Sequence, residues 1–246
     1  MKSIKIIKKI LSFIACAILL SVFLGTATAA HGSNDLNDSN PAIFDKAKEN
    51  KKYIALTFDD GPHPVYTQKI LDILEEKKVS ATFFVVGYRA ELLPETLKRM
   101  KDLDCEIGNP THNHTNLSGY VKNGATHEIE KCSEAIFAAT GEYPVIYRPP
   151  FGKISKENEK RIPLKKILWT VDSLDWDTKN KDRVVRNVVK NVKDGSIILM
   201  HDFYESTLKA LPEIIDILSD EGYEFATVSE LAALKKISRL QEYFLD

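Results

Sequence analysis

Six charged or imidazole side chains stand at or just after the ends of predicted β-strands. They belong to Asp59, Asp60, Arg148, Asp172, Asp175 and His201. Carboxylates can act as general bases or bind a metal ion, and a histidine paired with a carboxylate can act as a general acid. Such a group could hydrolyse an amide, because that reaction needs an activated water, a stabilised oxyanion and an acid for the departing amine.

The elements that must position these side chains are short strands alternating with helices. Apolar residues recur every three or four positions in the helical stretches, for example over 70–74 and 208–218. The strands are predicted at residues 53–58, 81–86, 145–147, 167–171 and 196–200. This alternation predicts an α/β fold with parallel strands, as a sheet or a barrel. In a parallel barrel the carboxyl ends of the strands share one face, so we expect the six side chains to lie on one rim.

Four short motifs contain these residues and follow one another along the chain. They are Thr57-Phe58-Asp59-Asp60-Gly61-Pro62, Arg148-Pro149-Pro150-Phe151-Gly152, Asp172-Ser173-Leu174-Asp175-Trp176 and Leu199-Met200-His201. Each alone is weak evidence, since an Asp pair before a Gly-Pro turn is more often a turn device. As a set they resemble the polysaccharide deacetylases of the nodulation-protein-B type, carbohydrate esterase family 4, over about residues 51–234. The resemblance implies a distorted (β/α) barrel whose carboxyl face takes an N-acetylated glycan.

The resemblance also assigns reacting groups. It makes Asp59 the general base, Asp60 a metal ligand and His201 the general acid that protonates the departing amino sugar. The backbone N–H of Phe151 is expected to complete the oxyanion site. The implied reaction removes N-acetyl groups from N-acetylglucosamine or N-acetylmuramic acid units of a cell-wall polymer, peptidoglycan or a chitin-like glycan.

Three further residues are expected to support the reacting groups. Arg148 should orient Asp59 and keep it ionised, and Asp175 should hydrogen-bond His201 and raise its pKa. The resemblance places Trp176 in an apolar wall of the acetyl pocket. The pattern of residues alone fits a core indole near a strand end nearly as well.

The remaining family motif departs from its usual form in this chain. It supplies two metal-binding histidines four residues apart; the second position is His114, but Pro110 occupies the first. The resemblance implies a divalent cation, Zn²⁺ first of all, with Co²⁺, Ni²⁺ or Mn²⁺ as alternatives. Only Asp60 and His114 remain as ligands, where a catalytic zinc site normally has three from the protein. We therefore expect weak metal binding.

Pro110 leaves three hypotheses open. The leading one is a metal-dependent deacetylase with a weakened metal site, and the second is a catalytically silent relative that binds wall glycan. The third makes His112 the missing ligand. It requires an extended or irregular loop, because residues two apart on a helix point to opposite sides. His63 follows the Gly61-Pro62 turn, and we assign it a structural role.

The chain divides into four segments. Residues 1–29 combine four lysines, an apolar run and a final Ala-x-Ala pattern, which predicts a secretory signal peptide; an uncleaved membrane anchor is the alternative. A polar linker is predicted over 30–50, the deacetylase domain over 51–237 and a tail over 238–246. We expect a secreted or membrane-anchored protein on the extracytoplasmic side, associated with the cell wall and in contact with membrane only through its first segment.

Charge and cysteine content limit the partners. The chain carries a net charge of -1, and its first segment holds four lysines without an acid, so the remainder sits near -5. Nucleic acid is an unsuitable partner for such a surface. Outside the first segment only Cys105 and Cys132 remain, which we interpret as small buried hydrophobes although export would permit a disulfide. We expect a monomer.

Overall fold

The computed structural model describes residues 51–119 and 124–234, which contain eight short strands. They are β1 Lys52–Asp59, β2 Thr82–Phe84, β3 Glu106–Gly108, β4 Ile146–Tyr147, β5 Lys165–Lys166, β6 Val171–Asp172, β7 Ile197–His201 and β8 Tyr223–Phe225. The main sheet has the order β3-β2-β1-β7-β6, and β8 pairs with the beginning of β1. All the strand pairs are parallel, so the predicted α/β class is confirmed.

Nine α-helices connect these strands and cover the outside of the sheet. They are α1 Tyr66–Lys77, α2 Gly87–Leu92, α3 Pro94–Asp102, α4 Gly124–Thr140, α5 Lys156–Glu159, α6 Asp175–Thr178, α7 Lys181–Asn191, α8 Glu205–Asp220 and α9 Val228–Leu234 within the described residues. A 3-10 turn, Pro150–Gly152, follows β4. The apolar spacing predicted helices over 70–74 and 208–218, and α1 and α8 confirm both.

The segment 165–172 closes the barrel by changing strand partner along its length. Its first part, β5, pairs with β4, and its last part, β6, pairs with β7. One continuous strand over 167–171 was predicted, and that prediction is wrong. In this gap Arg148 takes the place of a neighbouring strand, because its side chain donates to the carbonyl oxygens of Ile167 at 3.3 Å and Leu168 at 3.0 Å. The barrel is distorted at this point.

Alternation along the central strands separates the core from the site. On β1, Ile54, Leu56 and Phe58 face the large hydrophobic core beneath the helices. Ala55 belongs to a smaller cluster inside the barrel. Since successive side chains point to opposite faces, Thr57 and Asp59 lie on the interior side with Ala55. The same alternation on β7 brings His201 to the interior.

The remaining strand predictions differ from the structure mainly at their ends. The strands predicted over 53–58 and 196–200 correspond to β1 and β7, whereas β2 is shorter than the predicted 81–86. β3 and β8 were not predicted. Each has three residues, which is too short to display a period-two pattern.

The predicted signal segment 1–29, linker 30–50 and tail 238–246 lie outside the described residues. Across residues 51–119 and 124–234, we find no helix with the length and apolar character of a membrane span. Cys105 and Cys132 are both buried and form no disulfide. Burial raises the pKa of the Cys105 thiol to about 11, so the interpretation of these cysteines as buried hydrophobes is confirmed.

Candidate active site

Asp59 ends the central strand and is held by a buried arginine. Arg148 Nη1 donates to Asp59 Oδ1 at 2.6 Å and to Thr57 Oγ1 at 2.8 Å, and its guanidinium lies 4.1 Å from the centre of the Phe84 ring. Burial raises the pKa of Asp59, and the positive charges of Arg148 and His201 offset only part of that rise. A carboxylate with a raised pKa is a stronger base, which suits proton abstraction from water.

His201 ends β7, and the carboxylate of Asp175 fixes its ring. Nδ1 of His201 lies 2.7 Å from Asp175 Oδ1, and the backbone N–H of His201 donates to Oδ2 at 2.7 Å. Thr207 Oγ1 donates to Oδ2 at 2.5 Å, and the backbone N–H of Trp176 donates to Oδ1 at 2.8 Å. Asp175 is fully buried, so these four contacts replace its hydration.

The ionisation of His201 follows from this arrangement. Burial lowers the pKa of His201, but the hydrogen bond to Asp175 and the negative charges of Asp175, Asp59 and Asp60 outweigh burial and raise it to about 9. The imidazole is therefore protonated at neutral pH. Its Nδ1 is engaged by Asp175, which leaves Nε2 as the nitrogen that can give up a proton.

Asp59 and His201 are partners in the parallel register of β1 and β7, and both line one cavity of about 580 Å³. Its walls include Trp176, which is 47% exposed, and Phe151, which is 63% exposed. These rings are available to a ligand, so Trp176 is a cavity wall and not a core indole. Lys153 adds a positive charge to the same wall.

Asp60 and His114 meet at the edge of this cavity, where Asp60 Oδ1 lies 3.0 Å from His114 Nε2. The loop before His114 is tied to α4, because Glu128 accepts hydrogen bonds from the backbone N–H of Asn113 at 2.8 Å and from its side-chain amide at 2.7 Å. The Phe151 ring contacts His114 edge-on at 5.1 Å. Burial would raise the pKa of Asp60, but the hydrogen bond and charge of His114 bring it below the ordinary value.

Comparison with known proteins gives the family. The family model described as polysaccharide deacetylase matches residues 46–163. The peptidoglycan-N-acetylmuramic acid deacetylase PdaC of Bacillus subtilis is 42% identical over 187 residues, which are 76% of this chain and 40% of that protein. The solved structure of PdaC superimposes with a TM-score of 0.74 at 41% identity and covers 78% of this chain and 96% of the solved chain. The chain belongs to the polysaccharide deacetylase family.

Two further structures of the family bear on the chemistry. A family 4 acetyl xylan esterase from Clostridium thermocellum, solved in complex with a cobalt ion, is 33% identical with a TM-score of 0.73 and covers 76% of this chain and 93% of its own. A family 4 pseudoenzyme from Bacillus anthracis is 30% identical with a TM-score of 0.69 and covers 74% of this chain and 66% of its own. Other relatives are named peptidoglycan-N-acetylglucosamine deacetylases and a chitooligosaccharide deacetylase.

Polysaccharide deacetylases of this family are metalloenzymes, so the donor set of this member is of interest. Asp60 and His114 provide a carboxylate oxygen and an imidazole nitrogen, both suitable ligands for a divalent cation. Within 51–119 and 124–234, no three His, Cys, Asp or Glu side chains gather where they could share one ion. Pro110 is buried and offers no donor atom. The residues present do not fit a catalytic site with three protein ligands.

Within residues 51–119 and 124–234, His112 does not gather with Asp60 and His114 into a three-ligand cluster. Its ring is buried, with Nε2 3.1 Å from Glu91 Oε1 and Nδ1 3.1 Å from Asn113 Oδ1. Both ring nitrogens of His112 are engaged by these partners, so a ligand role would require the loop to rearrange, and His112 as the third ligand stays a prediction.

His63 is placed at the start of α1. Its Nδ1 accepts hydrogen bonds from the backbone N–H groups of Val65 and Tyr66, each at 3.1 Å. This satisfies amide groups at the beginning of the helix, so His63 has the structural role that the sequence suggested.

Several residues of the site were not identified from the sequence. Thr57, Glu128 and Thr207 lie in unremarkable strand or helix positions, and their roles depend on partners up to 91 residues away. Only Thr57 carried a usable signal, since it opens the motif that contains Asp59. Asp172 was placed on the correct rim, but its Oδ1 accepts the backbone N–H of Leu174 at 2.8 Å and supports the turn.

Proposed function

We propose that this protein hydrolyses N-acetyl groups of amino-sugar units in a cell-wall glycan. The observation that carries the proposal is the pairing of Asp59 with His201 on adjacent strands, each held by its own partner. Arg148 lies on one side of this pair and Asp175 on the other, and both reacting groups line the same open cavity. This is the arrangement that a general base and a general acid need to act on one substrate.

The protein side chains account for the proton movements. Asp59 takes a proton from the attacking water, whose oxygen forms a bond to the acetyl carbon. The oxyanion lies towards the backbone N–H of Phe151, which is the stabilising donor that we propose. The C–N bond then breaks as His201 gives its Nε2 proton to the nitrogen, releasing acetate and a free amino sugar. No step is assigned to a metal ion, because Asp60 and His114 form an incomplete ligand set.

Wall glycan is the substrate that the relatives support, since PdaC is named for peptidoglycan N-acetylmuramic acid and other relatives for N-acetylglucosamine. Export through the first segment, residues 1–29, is part of the proposal, because the polymer lies outside the cytoplasm. Zn²⁺ is the cation that we propose for Asp60 and His114, with Co²⁺ as the first alternative in view of the cobalt-bound esterase.

The test is acetate release from N-acetylated glycan fragments, with and without added Zn²⁺. Asp59→Asn and His201→Ala should each lower the rate by at least about 100-fold, the lower range for loss of a general acid or base. Asp177→Asn and His127→Ala change exposed residues on α6 and α4 and serve as matched controls. Unchanged rates in both active-site variants would refute the assigned roles.

A second candidate is a catalytically silent protein that binds wall glycan. The specific observation in its favour is the two-ligand set left by Pro110, and a pseudoenzyme occurs among the structural relatives. Protein purified in excess Zn²⁺, then dialysed, should hold no metal and release no acetate while still binding insoluble peptidoglycan. Stoichiometric metal together with acetate release would eliminate this candidate.

A further inference from the structure

A second, smaller cavity adjoins the proposed catalytic one. It has a volume of about 170 Å³ and shares Asp60, His114 and Tyr204 with the larger cavity. Its other wall is formed by Arg89 of α2 and by Phe203. The volume accommodates a substituent of several non-hydrogen atoms, and none of the catalytic roles uses it.

Arg89 is held in this wall by aromatic rings. Its guanidinium carbon lies 4.4 Å from the centre of the Phe203 ring and 5.1 Å from the centre of the Tyr88 ring. Stacking of this kind engages the flat face of a guanidinium and leaves the N–H donors at its edge available. The side chain is also half-buried, which together with the ring contacts limits the orientations open to it.

The charge of Arg89 has no counter-ion among the residues that the structure describes. No carboxylate of residues 51–119 or 124–234 lies within ion-pair distance of it. In contrast, Arg99 on the next helix bonds Asp72 at 2.7 Å and Glu75 at 2.9 Å.

Two further polar residues line this cavity beside Arg89. Asp60 is the acidic one, and its Oδ1 lies 3.0 Å from His114 Nε2 rather than within ion-pair distance of Arg89. Asn113 adds a neutral amide. A carboxylate entering the cavity could therefore meet an open guanidinium fork, which binds carboxylates through two parallel hydrogen bonds.

We propose that Arg89 forms a subsite for a carboxylate carried by the glycan, on the unit whose acetamide lies between Asp59 and His201 or on its neighbour. The ether-linked lactyl carboxylate of an N-acetylmuramic acid unit is the group to which we commit. This inference rests on the proposed function, and it makes the substrate an acidic rather than a neutral amino-sugar polymer.

The test compares two tetrasaccharides by calorimetric binding without turnover. One alternates N-acetylglucosamine with peptide-free N-acetylmuramic acid, and the other is neutral chitotetraose. Native protein should bind the acidic ligand at least tenfold more tightly, and Arg89→Gln should remove that preference while changing chitotetraose binding less than twofold. Higher salt should reduce the preference of the native protein. Arg186→Gln, which removes an exposed arginine of α7, should leave the preference intact.

An esterified ligand and the variant Arg89→Lys show whether the carboxylate and the planar guanidinium are both needed for the preference. Esterified lactyl groups should abolish the preference, and Arg89→Lys should retain part of it, since it keeps the charge but loses the planar fork. If Arg89→Gln weakened the binding of both tetrasaccharides equally, the proposed subsite would be refuted. A preference for the acidic glycan that appeared only with peptide-bearing fragments would also refute it. Binding is measured apart from acetate release, so loss of the Arg89 effect and absence of hydrolysis are separate results.

Discussion

Asp175 holds His201 at two points, through the imidazole Nδ1 at 2.7 Å and through the backbone N–H at 2.7 Å. The first contact stabilises the imidazolium, and the second fixes the end of β7 relative to α6. The acid is therefore positioned and charged by one buried carboxylate.

The pKa of His201 is the first measurable consequence. NMR titration of its imidazole protons should give a value of about 9 in the native protein. In Asp175→Asn the value should fall towards or below the ordinary 6.5 of histidine, because burial remains while the neighbouring charge is lost. Asp177→Asn, an exposed change two residues along α6, should leave it near 9. A native value near 6.5 would contradict this account.

The same shift sets a pH dependence of stability and activity. The folded pKa of about 9 lies above the unfolded value of 6.5, so His201 contributes its full stabilisation below pH 6.5 and loses it as the pH rises through 9. Urea unfolding at pH 6 and pH 10 should show this loss, and it should be smaller in Asp175→Asn. Acetate release should also decline above pH 9, because the acid loses its proton.

Substitutions of Thr207 measure how much its hydroxyl group, which donates to the buried carboxylate of Asp175, contributes to the free energy of unfolding. Thr207→Val keeps the volume but removes the donor to Asp175 Oδ2, a fully buried charged acceptor. The unfolding free energy should drop by about 2 kcal/mol, the range for hydrogen bonds to charged groups. Thr207→Ser keeps the hydroxyl and loses only a methyl group, which should cost about 1 kcal/mol. A larger loss in Thr207→Ser than in Thr207→Val, measured by denaturant unfolding, would mean that packing, not the hydrogen bond, is responsible.

The sequence predicted the rim of the site better than the groups beneath it. Strand periodicity places Asp59 and His201 on one face without knowledge of their partners, because the ends of parallel strands must meet. The support from Thr207 was not predictable, since it depends on how α8 packs against α6. His112 shows a similar limit: its direction is set by Glu91 and by the loop conformation, and two-residue spacing does not determine either.

Asp202 is a buried carboxyl that should make stability fall with pH. Burial raises the pKa of Asp202 to about 7, although a hydrogen bond from Thr67 opposes the rise, and its Oδ1 has no hydrogen-bond partner in the described structure. The folded state therefore holds a proton that the unfolded chain releases near pH 4. The contribution of Asp202 to stability is therefore fully present below that pH and is lost as the pH rises through about 7.

Asp202→Asn should remove this dependence, since the amide oxygen can still accept from Thr67. The variant should gain stability relative to the native protein between pH 4 and pH 8, by a few kcal/mol at about 1.4 kcal/mol per pKa unit. Chemical unfolding at the two pH values measures the gain, and Asp220→Asn, at an exposed position at the end of α8, provides the control. A difference that stays constant with pH would show that Asp202 is ionised in the folded protein.

Pro110→His addresses the missing ligand directly. If position 110 is the empty third ligand position, the new imidazole should tighten Zn²⁺ binding at least about tenfold, since even outer partners of metal sites contribute that much. Isothermal titration of Zn²⁺ measures the gain, and Pro163→His, at an exposed proline, should give none. The gain should disappear when His114→Ala is added, because both imidazoles are needed.

The effect of this change on hydrolysis separates the two candidate functions. A silent protein should acquire both metal and acetate release with Pro110→His, because the partners of Asp59 and His201 are already in place. An enzyme that works with two ligands should show activity beforehand, increased by the new ligand at low Zn²⁺ and little changed when Zn²⁺ is saturating. His112→Gln in the native background should leave metal affinity unchanged, since the ring nitrogens of His112 bond to Glu91 and Asn113. Loss of metal binding in that variant would instead mean that the loop rearranges around the cation and brings His112 to it.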